Sequence, residues 1–214
     1  MKRMPITARS CAVALVALAG ALGAGTAEAG KFSSAAGFCG WQGISQPFVQ
    51  WNDGSPYFLL DGGSFEGDVS GWTMSGGASV GGPNEPFHAW GGDDSLSLGI
   101  PNGASATSAP VCVTVYSPAL RLFEFNDGDP GRPLQVFVNF IGTDGKPHSA
   151  KLPDQKNAGT WAPSQPISFL GPFMNVLSKF GMTTVTFTFS NPYQKDHPGD
   201  WRIDDVAVDP LKSQ

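Results

Sequence analysis

Basic residues are scarce in this sequence. The 214 residues include 13 Lys and Arg against 18 Asp and Glu, a formal net charge of −5. Residues 1–29 contain three of the basic residues and one acidic residue. The rest of the chain therefore has 13 − 3 = 10 basic and 17 acidic residues, a net charge of −7. Such a chain repels nucleic acid and anionic lipid, and no basic run offsets the repulsion. Nucleic-acid binding is excluded on this ground.

Long apolar runs are also lacking after residue 29. The chain begins with the basic "MKRMPITAR", continues with the apolar "SCAVALVALAGALGAG" and reaches the small residues "AEA" at 27–29. This order is typical of a secretory signal peptide cleaved after Ala29. A membrane anchor would need about 20 apolar residues, and this run is shorter and interrupted by glycine. We therefore expect a secreted protein, with residues 1–29 removed and no membrane span in the mature chain.

Cysteine is rare, with three in the whole chain, and Cys11 lies in the predicted signal peptide. The other two, Cys39 and Cys112, are most simply a disulfide in an exported protein. The bond would close a loop of 112 − 39 = 73 residues and stabilise the fold by roughly 4 kcal/mol. Two buried free thiols are the alternative. Neither cysteine has the spacing of a zinc or redox motif.

Catalytic motifs are missing as well. The sequence has no GxSxG, HExxH or P-loop pattern. His88, His148 and His197 lie in turns or in Gly- and Pro-rich stretches, which favours solvated loop histidines. Asp93 and Asp94 in "GGDDS" indicate a turn, although a glycosidase carboxylate pair would meet only in space. We expect a non-catalytic protein, with a glycoside-active enzyme as the least favoured possibility.

Glycine, proline and aromatic residues are abundant, a mixture typical of many short strands joined by tight turns. Strand patterns occur at 57–60, 72–80, 95–100, 109–117, 120–125, 134–141, 148–152, 183–190 and 201–208. Helical spacing over 172–181 predicts one short helix. The sequence therefore predicts an all-β, two-sheet antiparallel β-sandwich. We expect it to span 59–210, with an N-terminal segment, 30–58, packed on it.

The last predicted strand, "WRIDDVAV", contains two adjacent carboxylates, Asp204 and Asp205. Side chains alternate across a strand, so one of the two is expected to face the interior. A buried carboxylate without a partner costs several kcal/mol and needs compensation. That compensation could be an ion pair with Arg202 or Arg121, backbone N–H groups, or a metal ion.

The stretch "LLDGGSFEGDVSGWTMSGGASV", with Phe65-Glu66 and Gly71-Trp72, and the ending Ile203–Val206 resemble carbohydrate-binding-module jelly rolls of the galactose-binding-like fold. The resemblance covers about residues 39–210, and the arrangement is also similar to secreted actinobacterial proteins of uncharacterised function. It implies adjacent first and last strands that hold a structural calcium ion. The implied ligands are Glu66 and one of Asp204 or Asp205, with backbone oxygens near Ser64.

Six tryptophans suggest a sugar-binding face, because flat aromatic rings stack on sugar rings. Trp72 and Trp201 belong to the opening and closing motifs, where a core role is expected. Trp90 in "NEPFHAWGGDD" is the first candidate for a glycan contact, together with His88 two residues earlier, and Trp161 in "GTWAPS" is a further candidate. Two functions follow: a carbohydrate-binding or cell-surface module, or an extracellular structural domain that docks to an envelope protein.

Overall fold

The computed structural model describes residues 43–114, 119–128, 131–157, 159–169, 171, 182–196 and 199–209. The predicted signal peptide 1–29, the predicted helix 172–181, Cys39 and His197 lie outside these residues. A short 3-10 helix, Val49–Trp51, precedes the strands. In chain order the strands are β1 (Phe58–Leu59), β2 (Thr73–Ser75), β3 (Ser79–Gly81), β4 (Ser97–Ile100), β5 (Ser105–Thr107), β6 (Val111–Thr114), β7 (Ala119–Asn126), β8 (Gln135–Ile141), β9 (Pro147–Lys151), β10 (Ala162–Pro163), β11 (Ile167–Ser168), β12 (Met182–Ser190) and β13 (Trp201–Val208).

The strands form two antiparallel sheets. A seven-stranded sheet has the order β10-β7-β13-β4-β3, with β1 also paired to β13 and β11 to β7. A six-stranded sheet has the order β2-β5-β12-β8-β9, with β6 also paired to β12. Buried apolar residues from both sheets form one common core. The predicted two-sheet antiparallel sandwich is confirmed.

Alternating side chains explain this core. In β12, Val185, Phe187 and Phe189 are fully buried, and the threonines between them lie on the opposite, outer face. Period-two alternation places one set of side chains on each face of a strand. Trp72 and Trp201 are also buried in the core, as the sequence predicted.

The opening and closing strands are neighbours. β1 pairs antiparallel with β13, placing Phe58 opposite Val208. The contact continues beyond β1, because the Val206 N–H donates to the Gly63 carbonyl at 3.0 Å. The register of β13 against β7 shifts between Asp204 and Ala207, and Asp205 has a positive φ of 47°. This β-bulge breaks the alternation of side chains in the middle of the last strand.

The described part of the N-terminal segment, 43–58, lies on the outer face of the seven-stranded sheet. Phe48 and Tyr57 from this segment form a small second core with Phe123 of β7 and Ala207 of β13. All four residues are buried. The seven-stranded sheet is therefore covered on both faces, by the main core inside and by an aromatic layer outside.

One predicted strand differs from the structure. The pattern at 72–80 folds into two strands that belong to different sheets, because β2 pairs with β5 and β3 pairs with β4. Gly76 and Gly77 between them have φ values of 65° and 93°. Glycine adopts this left-handed backbone conformation at little cost in energy. Gly76 and Gly77 therefore allow the chain to turn from one sheet to the other. Among the described residues, no helix has the length and hydrophobicity to cross a membrane.

Candidate functional site

Five carboxylates meet where the bulge of β13 faces two loops. Asp204 and Asp205 come from the bulge, Glu66 from the turn after β1, and Glu85 and Asp94 from the loop 82–96 between β3 and β4. Asp204, Asp205 and Glu85 are each about 1% exposed. We call these five residues the acidic cluster. It contains the predicted calcium ligands, together with two carboxylates that were not predicted as ligands.

Two members of the acidic cluster hold the loop in place. The Glu66 Oε1 atom accepts hydrogen bonds from the N–H of Ser95, at 2.5 Å, and from the N–H of Leu96. The Glu85 carboxylate accepts the N–H of Phe87, and its Oε1 accepts that of Ala89 at 3.1 Å. These bonds to charged acceptors are stronger than neutral ones and fix the loop at both ends.

The two aspartates of the bulge differ in their bonding. The Oδ1 atom of Asp204 accepts the N–H of Asp205 at 2.8 Å. Both carboxylate oxygens of Asp205 are buried and meet no N–H or O–H donor in the described part of the chain, and they can form a hydrogen bond with the Glu85 carboxylate only when the two groups share a proton. The Asp94 Oδ2 atom is also buried and has no hydrogen-bond partner among the described residues. The sequence predicted one buried carboxylate here. The structure buries both, because the bulge releases Asp205 from the alternation of the strand.

The two arginines considered as ion-pair partners are engaged elsewhere. Arg121 Nη1 forms a hydrogen-bonded ion pair with Asp53 Oδ2. Arg202 Nη1 donates to the Gly81 carbonyl at 3.0 Å and to the Ser97 hydroxyl. No described ion pair therefore involves the two bulge aspartates, and Asp204 is compensated instead by backbone hydrogen bonds from Asp205 and Glu85.

Burial and mutual repulsion raise the pKa values in the acidic cluster. Burial, followed by the neighbouring Asp205 charge, raises the pKa of Asp204 to about 9. Burial together with the charges of Glu85, Asp94 and Glu66 raises the pKa of Asp205 to about 8. The pKa of Asp94 is also raised, first by burial and then by Glu66 and Glu85. At neutral pH these carboxylates need protons or a cation to share one buried space.

The donor atoms of the acidic cluster suit a hard cation. Calcium takes six to eight oxygen ligands from carboxylates, carbonyls and water, and it tolerates irregular geometry. Asp205 supplies two buried oxygens that no N–H or O–H donor satisfies, a condition that a cation, or a proton shared with Glu85, would relieve. In the described residues, no three acidic, His or Cys side chains already stand as a preformed metal cage. Among the described residues, the acidic cluster therefore offers the kind of oxygen donors that calcium takes, but not their arrangement around a metal ion.

A cluster of aromatic rings lies beside the acidic cluster on the same face. Phe123 of β7 is at its centre, 5.4 Å from Phe48, 5.3 Å from Trp51 and 5.4 Å from Phe87, measured between ring centroids. Trp90 meets the Phe48 ring edge to face at 5.9 Å and 76°. We call these five residues the aromatic cluster. Edge-to-face and tilted pairs at such distances stabilise packing beyond the area they bury.

The residues predicted for glycan contact have different surroundings. Trp90 is half-buried in the aromatic cluster, and His88, two residues earlier, is exposed with a φ of 51°. Trp161 is half-buried and packs on Phe125 at 5.7 Å between ring centroids. The prediction that these three residues contact a glycan stays open.

A groove of about 440 Å³ opens beside the aromatic cluster. Its lining residues are Trp51, Asn52, Asp53, Ser55, Tyr57, Ala119, Arg121, Gln165, Pro166, Ser168 and Asp209. The floor is buried and includes Tyr57, Arg121 and Asp209. Trp51 at the rim is half-exposed, and Gln165 and Ser168 in the wall are exposed. The groove therefore combines an indole surface with amide and hydroxyl groups that can hydrogen-bond.

Hydrogen bonds hold the floor of the groove rigid. Asp53 accepts the Tyr57 hydroxyl at 2.8 Å and the Ser55 N–H at 3.0 Å, in addition to its bond from Arg121. Burial by itself would raise the pKa of Asp53, but these hydrogen bonds and the Arg121 charge hold it below its ordinary value. Burial and the neighbouring Asp53 raise the pKa of Tyr57. Tyr57 therefore stays a neutral donor and Asp53 stays ionised at neutral pH.

The buried carboxylate of Glu124 lies apart from both clusters. Glu124 is about 5% exposed in the middle of β7, on the core face that it shares with Leu120 and Leu122. Its Oε2 atom has no hydrogen-bond partner among the described residues. Burial raises the pKa of Glu124 to about 8. The alternating sequence of β7 predicted that Glu124 lies on the same face as the leucines. That pattern did not indicate that its Oε2 atom would be buried without a hydrogen-bond partner among the described residues.

No protein-family model matches this sequence, and a search of curated proteins finds no similar sequence. Several solved structures are similar in fold. A family 61 carbohydrate-binding module in complex with β-1,4-galactotriose is 17% identical over 70% of this chain and 96% of its own, with a TM-score of 0.39. A family 16 carbohydrate-binding module is 18% identical over 70% of this chain and 98% of its own, with a TM-score of 0.45. The CBM22-1–GH10 modules of Clostridium thermocellum xylanase 10B, complexed with xylohexaose, are 15% identical over 70% of this chain and 28% of that chain, with a TM-score of 0.47.

Proposed function

We propose that this chain is a secreted, non-catalytic β-sandwich domain that binds a carbohydrate in the groove beside the aromatic cluster. In this proposal residues 1–29 are removed on export, and Cys39 and Cys112 form a disulfide. The observation that supports carbohydrate binding best is the half-buried Trp51 indole, which lines a groove together with exposed amide and hydroxyl side chains. Sugar rings present apolar C–H faces and many hydroxyls, so they need both kinds of surface in one place.

The groove is also preorganised for binding. Asp53, Tyr57 and Arg121 form a connected set of hydrogen bonds below its surface. Trp51 is held by Phe87 at 4.9 Å and by Phe123 at 5.3 Å between ring centroids. A rigid aromatic surface loses little conformational entropy when a ligand binds, which favours affinity.

The test is a glycan array followed by calorimetry with soluble oligosaccharides, including β-1,4-galactotriose and xylohexaose. We expect saturable binding that falls at least tenfold in Trp51→Ala. Trp161→Ala is the matched control, because it also removes a half-buried indole but leaves the groove intact. If glycan binding is lost in Trp161→Ala or Trp90→Ala but retained in Trp51→Ala, the binding site lies at the residues predicted from the sequence. No binding to any glycan, together with specific capture of one envelope protein, would favour a protein-interaction domain instead.

We further propose that the acidic cluster holds a structural calcium ion. Asp205, Asp204 and Asp94 would supply carboxylate oxygens, while Glu66 and Glu85 position the loop through its backbone N–H groups. Binding would offset the burial and the repulsion that raise the pKa values of Asp204 and Asp205. Calcium at 100 times its dissociation constant should add about 2.7 kcal/mol to the free energy of unfolding. Thermal melting in calcium and in EDTA tests this, and superimposable curves would contradict it.

A further inference from the structure

The loop 82–96 connects a buried carboxylate of the acidic cluster to the wall of the groove. Glu85 on this loop is about 1% exposed, and Phe87, two residues later, packs on Trp51, which lines the groove. On the premise of the proposed glycan function, we propose that Glu85 is a positioning residue for the groove. It controls the affinity for a glycan by fixing the ring of Phe87 against Trp51.

The Glu85 carboxylate holds a left-handed turn at His88. It accepts the N–H of Phe87 on one side of His88, and its Oε1 atom accepts the N–H of Ala89 on the other side at 3.1 Å. His88 has a φ of 51°, a conformation that is uncommon for a residue with a side chain because its Cβ crowds the following carbonyl. Hydrogen bonds to a charged acceptor are stronger than neutral ones. The carboxylate therefore stabilises the backbone on both sides of an unfavourable residue.

Phe87 transmits the position of the turn to the groove. Its ring meets Trp51 edge to face, with 4.9 Å between ring centroids and 84° between ring planes. Trp51 also packs on Phe123 of the sheet at 5.3 Å, but the short 3-10 helix that carries it has no buried residue. The ring of Phe87 therefore contributes to holding the indole in place. A rigid aromatic surface loses less conformational entropy on binding, so a looser Phe87 should weaken glycan binding at Trp51.

The experiment measures glycan affinity by calorimetry in EDTA, with β-1,4-galactotriose, xylohexaose and the strongest oligosaccharide of the glycan array. Glu85→Gln keeps the size of the side chain, but its amide nitrogen cannot accept the second N–H of the turn. We expect affinity to fall about threefold in Glu85→Gln and about tenfold in Phe87→Ala, the range for one side chain that is no longer immobilised before binding. In the double variant, Glu85→Gln should add nothing to the loss in Phe87→Ala, because Glu85 acts through Phe87.

Glu66→Gln is the matched control. Glu66 also accepts two N–H groups of the loop, from Ser95 at 2.5 Å and from Leu96, but residues 91–96 at this end of the loop include no aromatic ring. The variant makes the same change in charge and weakens the loop, and it should leave glycan affinity unchanged. Chemical denaturation of both glutamine variants measures their stability, so that a general loosening of the loop is distinguished from a change in the position of Phe87.

Two variants of His88 test the turn without changing the carboxylate, and they decide the question if Glu85→Gln does not fold. Asparagine adopts the left-handed conformation readily, whereas the branched Cβ of valine opposes it. His88→Asn should keep the glycan affinity, and His88→Val should lower it about threefold. Because His88 is exposed, neither variant disturbs the core. An equal loss in both variants would make the imidazole a direct glycan contact and contradict the role of the turn.

The possible failures are distinguishable. If Glu85→Gln binds glycan as tightly as the wild type while Trp51→Ala does not bind, the positioning role is overturned and the glycan function stands. Additive losses in Glu85→Gln and Phe87→Ala, or an equal loss in Glu66→Gln, would also contradict a role through Phe87. If the wild type binds none of the glycans on the array, the glycan function and the positioning role are both overturned.

Discussion

Two of the regions in which the molecule buries acid differ in almost every other respect. The acidic cluster gathers five carboxylates at the bulge of β13, where two loops supply backbone N–H groups. Glu124 is a single carboxylate on the core face of β7, among apolar residues. Both regions have raised pKa values. In the acidic cluster burial acts together with the neighbouring charges, whereas burial alone raises the pKa of Glu124.

The difference shows what separates a candidate site from a buried polar residue. A raised pKa occurs in both regions, so it does not identify a ligand site. The convergence of several carboxylates does identify a candidate ligand site, because one divalent cation can neutralise several oxygens around one space. Glu124 has no such neighbours in the described residues and is compensated most simply by a proton. Perturbing the two regions separately should therefore have opposite consequences.

The largest effect is expected for Glu124→Gln. The pKa of Glu124 rises from 4.5 to about 8 on folding, so the folded state binds a proton more tightly than the unfolded state. Stability from this group is full below about pH 4.5 and is lost as pH rises toward 8. The amide of glutamine stays neutral throughout. The variant should match the wild type to within about 0.5 kcal/mol near pH 4.5 and exceed it by about 4 kcal/mol at pH 8.

Chemical denaturation from pH 4.5 to 8 measures this difference. Asp61→Asn removes an exposed carboxylate and controls for the general effect of charge. A difference between Glu124→Gln and the wild type that is constant with pH would contradict the buried, proton-bound state of Glu124.

The next effect concerns the acidic cluster. Asp205→Asn removes the carboxylate whose two buried oxygens meet no N–H or O–H donor among the described residues. In EDTA we expect the variant to be at least as stable as the wild type, because one of several repelling carboxylates is gone. In calcium it should lose most of the stabilisation of about 2.7 kcal/mol expected for the wild type at 100 times the dissociation constant. Melting temperatures in both conditions give the comparison.

Glu124→Gln is the matched control for this experiment, since it also replaces a buried carboxylate by an amide. It should shift stability equally in calcium and in EDTA. If Asp205→Asn behaves in the same way, the acidic cluster is a set of protonated acids and the calcium proposal fails.

The sequence was sufficient to predict most of the fold. The alternation in β8 and β12 has period two over seven and nine residues, which indicates a strand with one face packed. The strands β10 and β11 are two residues long and lie beside β7. Strands this short have no periodicity, so only the partner strand defines them. The turn at Gly76 shows a further limit: glycine indicated an interruption, but not that the chain changes sheets there.

The candidate site was predicted only in part, for a similar reason. The resemblance nominated Glu66, Asp204 and Asp205, and the structure brings them near one another. Glu85 and Asp94 join them from a loop whose path is set by tertiary contacts, and local sequence favoured a turn at Asp94. Trp51 lies in an irregular segment, and its place at the groove depends on the chain covering the seven-stranded sheet.

The smallest predicted effect links the acidic cluster to the aromatic cluster. Glu85 and Asp94 flank Phe87 and Trp90 on one loop, and Trp90 packs on Phe48 at 5.9 Å between ring centroids. Calcium that draws the carboxylates together should shift this packing and change the tryptophan fluorescence. We expect Trp90→Phe to lose part of the calcium-dependent change in fluorescence. Trp161→Phe should keep that change, because Trp161 packs on Phe125 of β7. If Trp90→Phe keeps the full calcium-dependent change in fluorescence, calcium at the acidic cluster does not alter the packing of Trp90 in the aromatic cluster. Glu124→Gln should leave the calcium-dependent change in fluorescence intact, because Glu124 lies within β7 and not on the loop 82–96.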